Sequence, residues 1–523
     1  MPRFHPAQMA FTSGELSPKV HLGRVDFAKY ANGAETLENW RIFPQGGLTR
    51  RAGTRFVAFV KDMTRVPRLV PFQYSASQAY MLEVGHLYIR FYTNGAQITS
   101  GGTPVEVATP YVEADLFSLD VSGQSANVLY IVHPNYAPRK LERYSDTVWK
   151  LRTVTYLPPP TLEFGHRPAG TLTPGATSGT SVTLTSSLND FQTADVGREV
   201  LVTGGANASA RGGIKAFTSA TQVECYVCDA FVDVTATAAA SWKITESPRA
   251  IVTPTAVTPE GLSTTLTASA NAWKGLAGSG YQTGDCTKFV LLNGGMFEIT
   301  AINSATQLQA TIRGVASSAT AAQAGAWSLE EAGWSAANGY PAAVNPFEDR
   351  FYYGGTTEQP DSLWGSKTSD YENFGMGTLD DDAVAFTLNA PQVNGIRWIR
   401  GTKALALSTA GGEFIGTGGA DNPITPTNVL FKSETTYGSA PVSPLRVGNV
   451  ILFLTRSLRK LREFVFSFEQ DSHVAPDLLL LAEHLTCNAT ITQLAYQQDP
   501  DSTILSQRSA GQLLTCTYLR AQD

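Results

Sequence analysis

Apolar and polar residues alternate along this chain in short strand-turn-strand units that recur about every fifty residues. Apolar residues at every second position are the pattern of a strand with one buried face. The units lie at residues 80–92, 128–144, 351–364, 405–414, 451–466 and 504–519. Small antiparallel sheets repeated at this period can bury their faces only against their neighbours. The pattern therefore predicts the blades of a β-propeller-like array.

The first unit also predicts its own strand register. A two-residue turn at 85–86 would place Leu82 opposite Ile89, with their neighbouring apolar residues on the same side. The Asn-Gly pair that follows would form a second turn and place Phe91 opposite Ile98. Both turns independently select the same face of the sheet, which is therefore expected to be buried.

A stretch poor in charge and rich in Thr, Ala, Ser and Gly interrupts the array between the second and third units. It contains two copies of one module. Residues 191–195 match 281–285 at an offset of ninety, and Trp242 matches Trp327 at an offset of eighty-five. The two offsets differ because the first copy has a longer Gly-rich loop at 204–213, and loops tolerate such changes in length. Each copy is predicted to be a small β-barrel or sandwich with its tryptophan in the core.

These patterns predict an all-β chain, a β-propeller-like array of antiparallel blades with an inserted pair of duplicated small β-barrel or sandwich domains. The predicted segments are an irregular N-terminal arm and first strand at 1–70, the first blades at 71–160, the inserted modules at 161–250 and 251–336, and the remaining blades at 337–523. The last unit contains little beyond one hairpin. Either a strand near Phe56 completes it, or the natural protein continues past residue 523.

Only one segment late in the chain has a convincing helical pattern. Residues 476–485 combine a leading proline with a run of leucines, and Asp477 near the start would be favoured by the helix dipole. The sequence therefore predicts one helix ahead of the last blade.

Charge is distributed unevenly. The 523 residues carry 39 Lys or Arg and 45 Asp or Glu, a net charge of −6, which argues against a dedicated nucleic-acid binder. Residues 1–70 nevertheless hold eleven basic and five acidic residues. One basic strand in this region and one basic turn near residue 460 supply the candidate inter-subunit contacts: Arg50, Arg51, Arg55, Arg456, Arg459, Lys460 and Arg462. Solvated side chains lying over neighbouring strands, or contact with DNA phosphates, are the alternatives for both.

Residues able to support catalysis are scattered. The seven histidines form no pair at metal-ligand spacing, and the Cys225 and Cys228 pair lacks the second pair that a zinc site needs. Positions three apart on a strand point to opposite faces, so these thiols are expected to be ordinary side chains. The acidic run 380–382 lacks the spacing of a calcium loop and is interpreted as a solvated turn. The sequence thus predicts no enzyme, no cofactor and no metal site.

Membrane insertion is not indicated either. No apolar run approaches the roughly 18 residues that span a bilayer, and the N-terminus lacks the apolar centre of a secretion signal. Synthesis in a cytoplasm is therefore expected, with the chain kept there until it is assembled.

Several short segments of the chain are distinctive. Near the N-terminus they are FTSGELSP at 11–18, GRVDFAKY at 23–30, ENW at 38–40, PQGG at 44–47 and RRAGTR at 50–55. Later in the chain they are NPFEDRFYY at 345–353, SKTSDY at 366–371 and LAEHL at 481–485. Together these segments resemble the tail nozzle, or tail tubular, proteins of short-tailed bacteriophages. The resemblance covers most of 8–150 and 340–523, and the duplicated insert lies outside it.

The resemblance implies a structural virion protein in the phage tail. Such proteins form a homohexameric ring of propeller-based subunits below the tail adaptor protein, and the genome is ejected through its channel. The implied partners are other copies of the chain, the adaptor, tail fibres or spikes, and genomic DNA that passes without sequence-specific binding. No membrane span and no cofactor are implied.

Two other functions stay open from the sequence. The chain would be a receptor-binding or fibre-attachment virion protein if the modules containing Trp242 and Trp327 bind carbohydrate. It would be a carbohydrate-active enzyme if the propeller cleaves glycans.

Overall fold

A computed structural model of the chain describes residues 8–20, 26–123, 127–163, 165–166, 170–191, 193–239, 241–245, 251–269, 289–304, 306–323, 326–336, 338–388, 394–419 and 422–520. Almost all regular structure in these ranges is antiparallel β-sheet, which confirms the all-β prediction. The repeat segment 281–285 and the first residues of the 23–30 segment lie outside the described residues.

The N-terminal region contributes two small strand pairs. Its elements are β1 (Gly14–Glu15), a 3-10 helix (Ala28–Asn32), β2 (Gly33–Ala34), β3 (Trp40–Ile42) and β4 (Leu48–Arg50). Strand β1 pairs with β2 in parallel, and β3 pairs with β4 as a hairpin.

Six sheets follow one another along the chain, and we number them blades 1 to 6. Blades 1 and 2 precede the insert. Blade 1 contains β5 (Arg68–Gln73), β6 (Ala79–Gly85), β7 (Tyr88–Thr93), β8 (Ala96–Gln97) and β11 (Glu106–Ala108), and the small hairpin of β9 (Thr99–Ser100) and β10 (Thr103–Pro104) precedes β11. A 3-10 helix (Glu113–Asp115) leads to blade 2, which contains β12 (Asp120–Gly123), β13 (Val128–His133), β14 (Tyr136–Arg143) and β15 (Trp149–Thr153).

The insert folds into two seven-stranded sheets. Its strands are β16 (Thr161–Glu163), β17 (Gly165–His166), β18 (Leu172–Pro174), β19 (Val182–Ser186), β20 (Glu199–Val202), β21 (Arg211–Ser219), β22 (Gln222–Asp229), β23 (Trp242–Thr245), β24 (Val252–Pro254), β25 (Ser263–Ala268), β26 (Phe289–Leu292), β27 (Gly295–Ser304), β28 (Gln307–Gly314) and β29 (Trp327–Ala332), with a 3-10 helix at Thr193–Asp195. The strand orders are β17-β23-β20-β21-β22-β19-β18 and β16-β29-β26-β27-β28-β25-β24. The two orders are equivalent, as expected for a duplication.

Blades 3 to 6 complete the array. Blade 3 contains β30 (Ala343–Phe347), β31 (Arg350–Gly354), β32 (Ser362–Gly365) and β33 (Val384–Thr387); blade 4 contains β34 (Ile396–Gly401), β35 (Leu405–Thr409), β36 (Glu413–Thr417) and β37 (Leu430–Thr435). Blade 5 contains β38 (Leu445–Val447), β39 (Val450–Leu454), β40 (Leu461–Ser467) and β41 (Ser472–Val474). Helix α1 (His484–Cys487) leads to blade 6, which contains β42 (Ile491–Gln497), β43 (Thr503–Arg508) and β44 (Leu513–Thr517).

Each of the six predicted units supplies two neighbouring strands of one blade. In blade 1, however, Leu82 pairs with Phe91 rather than with Ile89, because the turn lies one residue later and Leu87 takes a positive φ of 65°. A register shift of two residues preserves the face of every side chain. The predicted buried face is therefore correct. The second turn places Phe91 opposite Ile98, whose amide donates to the Phe91 carbonyl at 2.9 Å, as predicted.

The predicted helix at 476–485 is wrong, since α1 begins only at His484. Asp477 is used differently. Its Oδ1 accepts from the amide of Leu479, two residues on, and its other oxygen pairs with Lys460. An aspartate that bonds its own backbone in this way favours a turn over a helix.

Apolar side chains fill the spaces between successive blades. Separate clusters join blade 1 to 2, 2 to 3, 3 to 4, 4 to 5 and 5 to 6, and their central members include Trp149, Tyr353, Leu405, Phe453 and Ile504 respectively. Among the described residues, no apolar cluster joins blade 6 to blade 1. The sixth junction is therefore built differently from the other five.

Blade 6 has three strands, and the N-terminal hairpin lies beside its outer strand. Thr517 Oγ1 donates to the carbonyl of Ile42 at 2.6 Å, and Arg41 pairs with Asp501 at 2.8 Å. The strand expected near Phe56 does not fill this place, since residues 51–60 have no regular structure and the Phe56 side chain is 67% exposed.

Candidate functional site

The three N-terminal arginines predicted as subunit contacts all lie on the surface. Arg50 ends β4, and Arg51 Nε donates to Asn39 Oδ1 at 2.7 Å. Arg55 follows in the irregular segment. None of the three pairs with a carboxylate of the described part of the chain. Their charges are therefore available to a partner.

Three of the four basic residues in the second candidate set lie in the turn between β39 and β40, and Arg462 lies at the start of β40. They divide into two kinds. Arg456 and Arg459 are exposed and unpaired within the described ranges. Lys460 pairs with Asp477 at 3.0 Å. The Arg462 guanidinium lies 3.5 Å from the centre of the Tyr437 ring and donates to a backbone carbonyl. Only the first two are therefore free for a contact with another molecule.

The predicted apolar face behind this turn is only partly buried. Phe464 is buried and stacks on His473, with ring centres 4.9 Å apart. Phe466 is 48% exposed and Phe468 is 91% exposed, so the alternation of these three phenylalanines does not correspond to one buried face. Strand β40 ends at Ser467, so Phe466 lies near its end and Phe468 lies beyond it.

Two segments that carry the resemblance meet in space. Glu15 of the 11–18 segment accepts from His484 of the LAEHL segment, with Oε1 and Nε2 separated by 2.9 Å. The amide of Ser17 donates to the carbonyl of Leu481 at 2.7 Å, and the second Glu15 oxygen accepts from the amide of Leu37. These contacts fasten the N-terminal region to the connection between blades 5 and 6.

Two further segments of the resemblance pack together in blade 3. Asp349 accepts from the hydroxyls of Ser369 and Tyr371, the latter at 2.8 Å. Phe351 and Ser366 are joined by hydrogen bonds in both directions. The residues that carry the resemblance therefore hold the fold together.

A polar network that the sequence did not predict fills the centre of the propeller. Asp120 of β12 is 4% exposed and contacts three other blades. It accepts from the amide of Val344 at 3.0 Å, from Ser443 Oγ at 2.8 Å and from Arg400 Nη2 at 3.3 Å. These residues lie more than two hundred positions from Asp120, and each alone resembles an ordinary strand or loop residue. No local pattern could therefore have indicated their meeting.

Arg68 extends this network into blade 1. Its Nη1 donates to the carbonyl of Leu116 at 3.0 Å, and burial lowers the pKa of the guanidinium to about 10 although Asp120 opposes the shift. An arginine with a pKa of about 10 keeps its charge at neutral pH, so the centre of the propeller holds a buried charged network.

The described residues contain no group of three His, Cys, Asp or Glu arranged to hold a metal ion. Of the acidic run 380–382, Asp382 is buried and pairs with Lys367 at 3.0 Å, so it belongs to the fold rather than to a solvated turn. Cys225 is buried, which raises the pKa of its thiol, and Cys228 is exposed, as expected for two faces of one strand. No helix among the described residues has the length and hydropathy to cross a membrane.

Both module tryptophans lie inside their modules. Trp242 is 0% exposed and its Nε1 donates to the carbonyl of Gly170 at 2.9 Å, and Trp327 is 6% exposed. This confirms the predicted core position. Neither ring presents a face on which a sugar could stack.

Comparison with known proteins identifies no family: no family model and no curated protein matches this chain. A solved structure of the phage phi92 endosialidase is similar at 11% identity, over 74% of this chain and 61% of that protein, with a TM-score of 0.18. This chain thus spans less than two thirds of that protein, and a TM-score of this size carries no conclusion about fold or function.

Proposed function

We propose that this chain is a structural virion protein that forms the tail nozzle of a short-tailed bacteriophage, the distal ring of the tail tube. Six copies assemble below the tail adaptor protein, and the genome is ejected through the channel that they enclose. Tail fibres or spikes attach to the outside of the ring. The chain is made in the host cytoplasm, joins the virion tail and has no catalytic role.

The observation that carries this proposal is the meeting of the resembling segments. Glu15 and His484 are 469 positions apart, yet both belong to segments that resemble nozzle proteins, and they contact each other. Asp349 and Tyr371, which are 22 positions apart in blade 3, form a second contact between resembling segments. Resembling segments that contact each other, in one case across almost the whole chain, support a shared propeller with the same N-terminal attachment, rather than a short local motif.

The filled centre of the propeller supports the assembly of a ring. Asp120, Arg400 and Ser443 converge where the first strands of the blades meet. A DNA duplex, whose major groove alone is about 12 Å wide, cannot pass through such a network. A conduit for DNA therefore has to lie between subunits.

The charge of the chain suits a channel that releases its cargo. The net charge of −6 disfavours tight binding of phosphates, which basic side chains would promote. We expect the channel wall to be acidic or neutral. A continuous lining of Lys and Arg in the assembled ring would contradict the proposal.

Electron microscopy of the purified full chain tests the proposal. We expect a ring with six-fold symmetry and a central channel wide enough for a duplex. A homogeneous monomer at the highest attainable concentration would contradict it.

The inserted modules favour one second function, that of a receptor-binding or fibre-attachment virion protein. Each module has an apolar core made only of its own residues, centred on Trp242 in one and Trp327 in the other, so both are self-contained attachments. A glycan array probed with the full chain tests this function. Specific binding that is lost when the modules are removed would favour it, and absence of binding would leave the modules as docking or spacer domains.

A further inference from the structure

Residues 50–63 form a surface segment that combines positive charge with exposed apolar side chains, and we name it the basic–apolar segment. Phe56 is 67% exposed, Phe59 is 69% exposed and Met63 is 73% exposed. The rings of Phe56 and Phe59 lie edge to face with centres 4.9 Å apart. Soluble monomers seldom leave a contiguous apolar group of this kind in water, so it indicates an interaction site.

The backbone of this segment is also unpaired. Between residues 53 and 60, no amide or carbonyl takes part in a backbone hydrogen bond with another described residue. The segment is fastened at its ends instead, by the hairpin that ends at Arg50 and by Lys61, whose amide donates to Glu83 Oε1 at 3.3 Å. It is therefore held in place along blade 1 without being covered.

A second exposed apolar surface lies at the turn between β40 and β41, and its charge is opposite. We name residues 466–471 the acidic–apolar turn. Phe468 is 91% exposed, and Glu469 and Asp471, which follow it, are exposed and form no ion pair with a described residue. The turn therefore presents an apolar side chain next to two uncompensated negative charges.

The charge of the whole chain repeats this opposition. Residues 1–70 hold eleven basic and five acidic residues, a net +6, whereas residues 71–523 hold twenty-eight basic and forty acidic residues, a net −12. Opposite potentials on two surfaces of one molecule favour head-to-tail contact between copies. The two surfaces belong to blades 1 and 5, so one copy can use both at the same time.

We propose that the basic–apolar segment of one copy binds the acidic–apolar turn of the next copy, which makes a heterologous contact that can close a ring. Phe468 packs against Phe56 and Phe59, while Glu469 and Asp471 pair with the unpaired arginines of the segment. This inference rests on the proposed function and identifies the surfaces by which the ring assembles.

Charge exchange tests the contact directly. One variant carries Arg50→Glu and Arg55→Glu, and the other carries Glu469→Lys and Asp471→Asn, where Asn suits the positive φ of 48° at that position. A control variant with Arg397→Glu and Lys403→Glu changes two exposed charges on blade 4. We expect each test variant to assemble about tenfold more weakly than the wild type, and the control to assemble normally. Sedimentation velocity over a range of concentrations measures the assembly.

Mixing the two test variants distinguishes pairing from general damage. In the mixture each copy meets a neighbour of restored complementarity, so the variants should assemble together in alternation although each fails alone. Unchanged unfolding temperatures of the separate variants establish that both are folded.

Three results would overturn the proposed contact. The first is that the test variants assemble as the wild type does, and the second is that their mixture does not recover assembly. The third is that loss of charge from the basic–apolar segment reduces binding of duplex DNA without reducing assembly. In each of these cases wild-type rings would still support the proposed function. A wild type that stays monomeric would overturn both.

Discussion

Five of the six junctions between blades are closed by apolar cores, and the sixth is closed by the start of the chain. At the junction of blades 1 and 2, Trp149 stacks on Phe91 with ring centres 4.3 Å apart. At the junction of blades 6 and 1, the first strands share one hydrogen bond, from Gln493 Nε2 to the carbonyl of Leu69 at 2.6 Å. The same array thus uses two different kinds of closure.

The difference shows how a linear array becomes a ring. Blades that are neighbours in sequence meet across short chain separations, whereas the contact of Gln493 with Leu69 spans 424 positions and carries a larger loop-closure entropy. Here residues 40–66 bridge the gap, because the hairpin contacts blade 6 at Thr517 and the following segment contacts blade 1 at Glu83. Contacts of high sequence separation form last, so this junction is expected to open first.

The largest effect is expected at an apolar junction. Trp149→Ala removes a buried ring from the core between blades 1 and 2 and should lower the free energy of unfolding by about 4 kcal/mol, since the cavity adds to the lost burial. Urea unfolding followed by circular dichroism measures it. The neighbouring exposed Val148, changed to Ala, is the control. A loss no greater than that of the control would show that this core does not hold the blades together.

The central network should give the next largest effect. Asp120→Ala removes the acceptor of Arg400 Nη2 and of the buried Val344 amide, which is expected to cost about 3 kcal/mol. Thermal unfolding of this variant is compared with Ser443→Ala, which removes only one neutral donor. Equal stability of the two variants would show that the charge at the centre of the propeller is not needed for folding.

A smaller effect is expected at the sixth junction. Thr517→Val removes the hydrogen bond to Ile42 while keeping the shape of the side chain, and should cost about 1 kcal/mol. Hydrogen exchange should accelerate in β42–β44 and stay unchanged in β13 and β14. Thr515→Val, an exposed change on the same strand, serves as the control. Uniform acceleration across all blades would contradict an independently opening junction.

The smallest effect is a pH dependence at the junction of blades 1 and 2. Burial lowers the pKa of His133, whose Nδ1 accepts from the amide of Asn135 and whose Nε2 lies 3.0 Å from Ser118 Oγ. The unfolded chain therefore binds the proton more readily. The contribution of His133 to the free energy of unfolding is fully present above pH 6.5 and decreases as the pH falls below that value. Unfolding temperatures between pH 8 and 5 should fall less for His133→Gln than for the wild type. Parallel curves would contradict this role of His133.

The sequence predicted correctly those features that are determined by residues within one strand pair or one repeat. Alternation located all six hairpins, and the repeats located both modules with buried tryptophans. The register of the first hairpin was wrong by two because a turn at Leu87 competes with one at Gly85. The helix at 476–485 failed because Asp477 bonds to its own backbone.

The candidate site was less predictable, for a physical reason. Exposure of the N-terminal arginines follows from their charge, but the internal pairing of Lys460 depends on Asp477, which only the fold brings near. The meeting of Asp120 with Arg400 depends on the closure of the whole array. Exposure of Phe468 could not be inferred from alternation, because alternation does not show that β40 ends at Ser467.

The order of strands in the insert limits how this protein can gain or lose parts. Strand β16 pairs with β29 of the second module, although it precedes the first module in the chain, and β17 belongs to the first. The first module is therefore nested inside the second. Deletion of residues 165–250 would leave every strand of the second module in place. No single contiguous deletion could remove the second module and leave the first. Shortened relatives of this chain, natural or engineered, should accordingly retain the second module.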